Sequence, residues 1–217
     1  MIRFNRSLIL GAAASLAMAS APAFAQWYGG ISAGVTSTSL NTSSLTAAVV
    51  AAGATAYSTS KDERDTGYKI QAGYQFTPNW GVEFGYVDLG KINAITSVSA
   101  PFAGSVRGDG KADGWNAVAV GTLPLSNGFS LLGKLGTIYS TASINLSTGG
   151  ALVFVPGTQT NFKKSEWNWA YGLGVQYDIS KTMAVRGEWD RYDGIRTSNT
   201  SSKYNFNLYS VGLNFKF

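Results

Sequence analysis

The chain has 217 residues, with 17 basic and 12 acidic side chains, and it contains neither cysteine nor histidine. Without cysteine there is no disulfide framework and no thiolate metal site, and the mild positive charge gives no reason to expect a nucleic-acid partner. We therefore expect no nucleic-acid binding, no metal site and no cofactor.

Residues 1–25 have the pattern of a secretory signal peptide. A basic start precedes an apolar stretch over about 8–19, and the Ala-Phe-Ala of 23–25 fits the small-x-small cleavage rule. The apolar stretch is too short for a membrane-spanning helix. Cleavage after this site would remove Arg3 and Arg6 and lower the formal net charge from +5 to +3.

Residues 26–217 are predicted to form one domain of eight strands. Apolar and polar residues alternate with a period of two, and no uninterrupted apolar run approaches the roughly 20 residues of a spanning helix. The strands are predicted at about 27–36, 67–76, 80–89, 113–123, 128–139, 166–177, 183–191 and 203–217.

The connections between these strands alternate in length. The short ones are rich in turn-forming residues and lie at 77–79, 124–128 and 178–182. The long ones are dominated by Ser, Thr, Gly, Ala and Asn and lie at roughly 37–66, 90–112, 140–165 and 192–202. Outer-membrane barrels have this arrangement, with short periplasmic turns and longer external loops. The sequence thus predicts an all-β, eight-stranded antiparallel up-and-down transmembrane barrel in the outer membrane of a Gram-negative bacterium.

All the tryptophans fall within a few residues of a predicted strand end. They are Trp27, Trp80, Trp115, Trp167, Trp169 and Trp189. Amphipathic rings gain most at the boundary between headgroups and hydrocarbon, so these side chains are predicted to form aromatic girdles at the two membrane interfaces.

The last predicted strand alternates aromatic or aliphatic residues with small or polar ones. Its apolar side comprises Tyr209, Val211, Leu213, Phe215 and Phe217. An aromatic terminal strand is the common signature of outer-membrane barrels, whose assembly machinery reads it. We therefore expect Phe217 to act as an assembly signal.

Parity along each strand separates a lipid-facing set of side chains from a luminal set. The outward set is apolar and largely aromatic, as with Ile70, Phe84 and Leu173. A soluble sandwich would reverse the faces, but these aromatics are too many and too bulky for a core of this size. The ionisable side chains face inward and are Lys69, Glu83, Lys134, Arg186, Glu188 and Asp190.

Charges inside an eight-stranded barrel need partners of the opposite sign. Unpaired buried charges cost several kcal/mol, and Glu83, Lys134, Arg186 and Glu188 supply both signs at similar depths. An interior of eight strands is only just wide enough for side chains to fill. We therefore predict luminal ion pairs among these four residues and a plugged lumen.

The chain resembles the transmembrane domain of outer membrane protein A and its small barrel relatives. The resemblance runs over the exported chain and is clearest at 74–86, at 174–189 and in the final strand, and it also touches Trp27-Tyr28. It implies no wall anchoring, because the family's peptidoglycan-binding domain has no counterpart before the last residue.

In that family, a glutamate–arginine pair beside a lysine–glutamate pair forms a luminal gate. The resemblance assigns the first pair to Glu83 and Arg186. It places Ala119 and Gln176 where the second pair would be, while Lys134 and Glu188 match two further charged luminal positions. A gate in this chain would be simpler than the family's.

Two short motifs suggest enzymatic or calcium chemistry, but their contexts argue against it. Residues 30–34 match the Gly-x-Ser-x-Gly nucleophile elbow, which needs a histidine that this chain lacks. We expect the inner wall of the first strand there. Residues 109–114 resemble a calcium loop in which a lysine holds a ligand position and Val120 replaces the closing glutamate. We expect a turn-rich loop there, and no enzymatic activity.

Two further segments are predicted to lie outside the membrane. Arg107-Gly108-Asp109 is the tripeptide that integrins bind, and it falls on a predicted outer loop, although chance occurrence is the favoured explanation. The charged run 61–65 is expected to be the solvated foot of a loop beside the lipid headgroups.

Three functions remain open from the sequence. The first is a plugged structural barrel that stabilises the envelope and presents loops. The second is a narrow porin-like channel for small solutes, and the third is an adhesin that binds host or cell-surface ligands through its loops. Expected partners are outer-membrane lipids, lipopolysaccharide and the outer-membrane assembly machinery, and the barrel is expected to be monomeric.

Overall fold

The computed structural model describes residues 26–196 and 203–217, and the predicted signal peptide lies outside this part of the chain. The described residues contain nine strands and one short helix. In chain order they are β1 (Gln26–Thr38), α1 (Ser43–Ala51), β2 (Ala56–Asp62), β3 (Arg64–Gln75), β4 (Trp80–Ala100), β5 (Gly104–Pro124), β6 (Phe129–Gly150), β7 (Asn161–Asp178), β8 (Met183–Ile195) and β9 (Tyr204–Lys216).

Eight of the strands close into a ring. Its order is β4, β3, β1, β9, β8, β7, β6 and β5, and β5 pairs again with β4. Every pairing is antiparallel, and the first and last strands meet between the partners Tyr28–Lys216 and Thr38–Phe206. The predicted eight-stranded up-and-down barrel is confirmed.

β2 does not add a ninth position to the ring. It pairs with β4 between Asp62–Asn93 and Ala56–Ala100, directly beyond the part of β4 that pairs with β3. β2 and β3 are therefore one interrupted strand. The break falls at Glu63, whose carboxylate accepts a hydrogen bond from the backbone N–H of Leu40 (2.7 Å).

The strands are longer on the side of the long connections than the sequence predicts. β4 and β5 are joined by 101–103 alone, and β6 and β7 by 151–160. The predicted loops at 90–112 and 140–165 are thus wrong, and the predicted loop at 37–66 contains α1 and β2. Ladder hydrogen bonds hold these Ser-, Thr- and Gly-rich residues as strands, although they lack the apolar alternation by which strands are recognised. β8 extends into the fourth predicted loop, of which 197–202 lies outside the described residues.

The short turns are where the sequence predicts them. Residues 76–79, 125–128 and 179–182 connect β3 to β4, β5 to β6 and β7 to β8. In the second turn, Asn127 and Gly128 adopt positive φ angles of 57° and 80°, which asparagine and glycine tolerate best.

The outer wall of the ring carries an apolar band between two levels of aromatic side chains. The level near the short turns comprises Trp27, Tyr74, Trp80, Phe129, Tyr177 and Phe215. The other comprises Tyr68, Tyr86, Trp115, Tyr139, Trp167, Trp169, Trp189 and Tyr209. Phe129 and Tyr139 lie ten positions apart on β6, which is about 33 Å along a strand and about 25 Å at the usual barrel tilt. This is the height of the apolar band in outer-membrane barrels.

Beyond the second aromatic level the ring opens into a sheet. We call this part the outer sheet. It consists of β2, the halves of β4, β5 and β6 that lie away from the short turns, and the first residues of β7, 161–166. One face of it carries a small apolar cluster under α1, composed of Val49, Ala54, Val98 and Val106 with Leu45, Phe102, Leu152 and Phe154 against them. Within the described residues, no helix has the length and hydropathy that crossing a bilayer requires.

Candidate functional site in the barrel lumen

The interior of the ring holds a cluster of buried charged side chains. We define the charged cluster as Lys69, Glu83, Lys134, Arg186, Glu188 and Asp190, all of which are buried. They project from β3, β4, β6 and β8 because they occupy the inward positions of strands whose other face meets the apolar band. The predicted parity is confirmed on β3, β4, β6 and β7, where Ile70, Phe84, Leu135 and Leu173 are all exposed on the outer wall.

The cluster alternates in sign across the lumen. Lys69 Nζ lies 2.5 Å from both Asp190 Oδ2 and Glu188 Oε2, so β3 is tied to β8 from across the ring. Lys134 Nζ contacts Glu188 Oε1 and lies 2.7 Å from Glu83 Oε2. The three cationic and three anionic side chains therefore balance, as a buried network requires.

Arg186 completes the network at its other end. Its Nη1 donates to Glu83 Oε1 and lies 3.6 Å from Glu188 Oε1. Its Nε and Nη2 both donate to the Gln176 side-chain oxygen, at 3.1 and 2.9 Å. The planar guanidinium thus donates hydrogen bonds to a carboxylate and to an amide oxygen at the same time.

Tyr28 also belongs to the site, and Gly73 leaves the space that its ring occupies. The Tyr28 hydroxyl donates to Glu83 Oε1 at 2.7 Å, and its ring lies 5.4 Å from the Arg186 guanidinium carbon. On β3, between β1 and β4, the residue in register is Gly73. A Cβ at Gly73 would come within 2.2 Å of the Tyr28 ring, so only glycine lets the phenol lie across β3 and reach the carboxylate.

A second, apolar layer fills the lumen on the outer side of the charged cluster. The apolar layer comprises Val87, Leu89, Ile138, Tyr192, Ile195, Phe206 and Leu208, all of them buried. Each of β4, β6 and β8 carries its charged residues first and its apolar-layer residues further outward. On the outer side of the charged cluster, the described lumen is therefore filled by apolar side chains.

The structure brings together the four residues predicted as luminal ion pairs. Sequence parity also assigns Lys69 and Asp190 to the lumen. It does not show that they pair, because their contact joins strands that are distant in the chain. The contact of Tyr28 with Glu83 was missed for the same reason, whereas Gln176 and Arg186 are direct neighbours on the β7–β8 hairpin and their pairing could have been inferred from register. The luminal assignment of Ala119 is wrong: its side chain is exposed on the outer wall, and its inward neighbours are Val118 and Val120.

The predicted interface residues lie in the two aromatic levels. Trp27 and Trp80 belong to the level near the short turns, and the other tryptophans to the second level. Because the strands continue outward, these latter residues are in mid-strand rather than near strand ends. Phe217 follows β9, with its side chain 82% exposed and its backbone N–H bonded to the Trp27 carbonyl (2.9 Å).

Two predicted outer-loop motifs lie within β5 instead. Arg107 Nε donates to both carboxylate oxygens of Asp109 at 2.9 Å, so the two charged groups of the tripeptide engage each other. The hydrogen bond to Asp109 raises the pKa of the Arg107 guanidinium above its ordinary value. Residues 109–114 are likewise strand rather than turn-rich loop. The charged run 61–65 belongs to the ends of β2 and β3.

The glycines of 30–34 line the inner wall of β1, as predicted. A Cβ at Gly30 would come within 1.8 Å of the Asn214 side-chain oxygen, which fills the space that this glycine leaves.

Comparison with known proteins agrees with this architecture. The family model described as "Outer membrane protein beta-barrel domain" matches residues 11–217. The chain therefore belongs to this family, and it is a protein of the Gram-negative outer membrane. A search of curated proteins gave no match.

Solved structures with this fold have little sequence in common with the chain. Neisserial surface protein A is 13% identical, covers 88% of this chain and 97% of its own, and has a TM-score of 0.50. The attachment invasion locus protein Ail of Yersinia pestis, in complex with the heparin analogue sucrose octasulfate, is 16% identical, with coverages of 88% and 99% and a TM-score of 0.46. OprG from Pseudomonas aeruginosa is 16% identical, with coverages of 89% and 95% and a TM-score of 0.44.

Proposed function

We propose that this protein is a closed outer-membrane barrel that contributes to the integrity of the envelope and displays its outer hairpins at the cell surface. The observation that carries the proposal is the charged cluster, whose contacts cross the lumen from β3 to β8 and from β4 to β6 and β8. The apolar layer above it supplies a second barrier. A narrow porin-like channel is the alternative.

The energetics favour the closed state. Separating one member of a buried ion pair from its partner costs about 3–5 kcal/mol, so a spontaneous opening at that cost would be populated less than about 1% of the time. In the charged cluster, Glu83 and Glu188 each contact more than one cation. Opening would break several contacts at once, and the apolar layer would still have to move.

Planar-bilayer recording tests the closed lumen. We expect no steady current from the wild type. The double variant Glu83→Ala/Arg186→Ala removes the central contact of the charged cluster and should also remain silent, because Leu89, Tyr192 and Leu208 of the apolar layer are intact. A steady wild-type current would refute the closed barrel and favour the channel.

The envelope role has a separate test in cells that lack the protein. We expect these cells to become more sensitive to detergents and large antibiotics. A barrel whose β6–β7 hairpin is shortened by joining the paired residues Asn145 and Asn161 through a two-residue turn should restore resistance as well as the full chain does. If deletion has no effect on sensitivity, the structural role is refuted.

The remaining parts of the proposal concern partners. The aromatic levels support a role for Trp27, Trp80, Trp115, Trp167, Trp169 and Trp189 as interface anchors in contact with outer-membrane lipids and lipopolysaccharide. We infer that Phe217 is read by the assembly machinery, that the barrel acts as a monomer, and that it has no enzymatic activity.

A further inference from the structure

A groove runs along the outer wall of the ring where β9, β1, β3 and β4 lie side by side. Its volume is about 510 Å³. It forms because Ala33 is small, whereas its register partners Tyr68 on β3 and Val211 on β9 are large and exposed. We call this feature the wall groove, and its apolar lining consists of Ile31, Ala33, Tyr68, Ile70, Val211 and Leu213.

The position of the wall groove determines what can occupy it. Ile31 is in register with both Ile70 and Leu213, so the lining residues lie on neighbouring strands and form one continuous surface. They face the apolar band, and Tyr68 belongs to the second aromatic level. The groove therefore lies in the half of the band that is nearer the outer sheet, where the hydrocarbon chains of outer-leaflet lipids surround the barrel.

Three exposed basic side chains lie on the outer wall directly beyond the second aromatic level. Arg64 on β3 and Lys111 on β5 are each four positions from a member of that level, which is about 13 Å of strand and about 10 Å of height. Lys91 on β4 is the register partner of Lys111, and its backbone N–H donates to Asp65, the neighbour of Arg64 (2.6 Å). We call these three residues the cationic row, and they lie in the headgroup layer.

The acidic side chains close to the cationic row are already engaged. Asp88, at the rim of the wall groove, lies 3.1 Å from Lys111 Nζ. Asp65 accepts hydrogen bonds from two backbone N–H groups, at 2.8 and 2.6 Å. Asp113 accepts one from the Tyr86 hydroxyl at 3.0 Å. These carboxylates are therefore held by contacts other than those with the remaining two cations.

Arg64 and Lys91 have no acidic partner of their own. In the part of the chain that the structure describes, no carboxylate oxygen lies within 4.0 Å of either charged group. Lys91 also stands directly opposite Lys111, and like charges in opposed strand positions, with Cβ atoms about 5 Å apart, destabilise a sheet. An anion bound at the row removes this repulsion.

We propose that the wall groove and the cationic row together bind one molecule of lipid A, the phosphorylated and multiply acylated anchor of lipopolysaccharide. An acyl chain lies in the groove, and a phosphate accepts charge-assisted hydrogen bonds from Arg64 and Lys91. The short turns of such barrels face the periplasm, so this end of the ring meets the outer leaflet, which contains lipopolysaccharide. The proposal deepens the lipopolysaccharide contact proposed above and rests on it.

The two parts of the site contribute differently to binding. A chain that moves from the bilayer into the wall groove leaves one hydrocarbon environment for another, so it gains packing contacts and little hydrophobic free energy. The phosphate contact distinguishes lipid A from a neutral lipid. Selectivity should therefore depend on Arg64 and Lys91 and should weaken at high salt.

Native mass spectrometry of the barrel refolded in detergent and titrated with diphosphoryl lipid A tests the cationic row. We expect a saturable complex with one lipid. Arg64→Gln/Lys91→Gln should weaken binding about tenfold or more, since each cation near an anionic lipid contributes about fivefold. Lys163→Gln/Lys181→Gln is the matched control. It removes the same charge from exposed positions on β7 and in the β7–β8 turn, opposite β3 in the ring, and should bind like wild type.

Filling the wall groove tests the acyl-chain contact. Ala33→Phe places a ring in the groove and should weaken lipid A binding several-fold. The matched control Ala119→Phe makes the same change at an exposed position of β5 outside the groove and should bind like wild type. Both positions face lipid, so both variants should fold, which heat-dependent migration on gels verifies.

Four outcomes would overturn the inference. Wild type could form no saturable complex, or the two glutamine double variants could bind equally. Phosphatidylglycerol, or lipid A stripped of its phosphates, could bind wild type as tightly as diphosphoryl lipid A, which would refute the assignment to this lipid. Equal binding by Ala33→Phe and Ala119→Phe would show that no acyl chain occupies the wall groove.

Planar-bilayer recording from the same preparations separates this inference from the closed barrel. A silent barrel that does not bind lipid A would refute the lipid site alone. A conducting barrel that binds it would refute the closed lumen and leave the lipid site standing.

Discussion

The charged level of the membrane-embedded ring and the outer sheet share strands but bury opposite chemistry. On β4, Glu83 faces inward and Phe84 outward within the ring, whereas Val98 faces inward and Ser97 outward in the outer sheet. The change occurs next to Gly90, where φ is +76° and the register between β4 and β5 shifts. The two regions differ because hydrocarbon surrounds one and water the other.

This difference shows that the surrounding solvent decides which face of a strand carries the apolar residues. The ring is closed, so the charged groups in its interior pair with one another while its exterior contacts lipid. The outer sheet is open, and it stabilises itself as a soluble protein does, with an apolar cluster under a helix. Equivalent substitutions in the two regions should therefore have unequal effects.

Breaking the charged cluster should have the largest effect. Glu83→Ala and Arg186→Ala should each lower the free energy of unfolding by about 3–5 kcal/mol, because the remaining partner is left buried with its charge unmatched. Urea unfolding in detergent or bilayers, followed by tryptophan fluorescence, measures this. In the outer sheet, Arg107→Ala removes an exposed pair and should leave the midpoint unchanged.

A double-mutant cycle sharpens this first prediction. Glu83→Ala/Arg186→Ala should cost less than the sum of the single variants, since neither charge is then left without the other. Strict additivity would mean that the two side chains do not interact in the folded barrel.

Placing a charge on the outer wall should have the next largest effect. Leu173→Arg puts a guanidinium in the apolar band and should cost about 2–4 kcal/mol of barrel stability. Asn145→Arg makes a comparable change at an exposed position of the outer sheet and should stay within about 0.5 kcal/mol. Equal folding of the two variants into bilayers would contradict the assignment of lipid and water to these regions.

Filling a glycine position tests how tightly each interior is packed. Gly73→Ala should cost about 1–3 kcal/mol, because the new Cβ displaces the Tyr28 ring from Glu83. In the outer sheet, a Cβ at Gly108 would approach only the flexible ends of Leu146, at 3.3 Å, and Leu45, at 3.9 Å. Gly108→Ala should therefore be nearly neutral in the same unfolding measurement, and a cost equal to that of Gly73→Ala would show that both interiors are packed alike.

Removing Phe217 should have the smallest effect on the finished barrel. Its side chain is largely exposed, so deletion should change stability in bilayers by less than about 1 kcal/mol. In cells, the same deletion should reduce the amount of folded barrel in the outer membrane, as heat-dependent migration on gels reports. Equal amounts of truncated and full-length protein would remove the assembly-signal role.

The sequence predicts the ring well because each strand faces lipid on one side and the lumen on the other, so its side chains follow a strict period of two. Ile70 next to Lys69 and Phe84 next to Glu83 reveal both faces without knowledge of the partners. The outer sheet escapes prediction because Ser, Thr, Gly and Ala fill most positions on both of its faces, so single buried residues such as Val98 and Val106 do not form an apolar stripe that marks the strands. Its order comes from ladder hydrogen bonds to neighbouring strands.

The luminal contacts were predicted only in part for a geometric reason. The depth of a charge along its strand can be judged from sequence, but the contact of Lys69 with Asp190 depends on ring closure, register and tilt. Ala119 shows the reverse case, in which a resemblance placed an outward residue inside because β5 was aligned one position out of register. A shift of one residue moves every side chain of a strand to the other face.

The seam between β1 and β9 determines how this chain can reach its native state. The hairpins β3–β4, β5–β6 and β7–β8 pair neighbours in sequence, whereas β1 and β9 must find each other across almost the whole of residues 26–217. Contacts between such distant residues form slowly, because the loop entropy is lost before the pairing is gained. Until that seam closes, both strands present unpaired backbone edges that invite aggregation. The chain is thus most prone to aggregate with other chains before ring closure is complete.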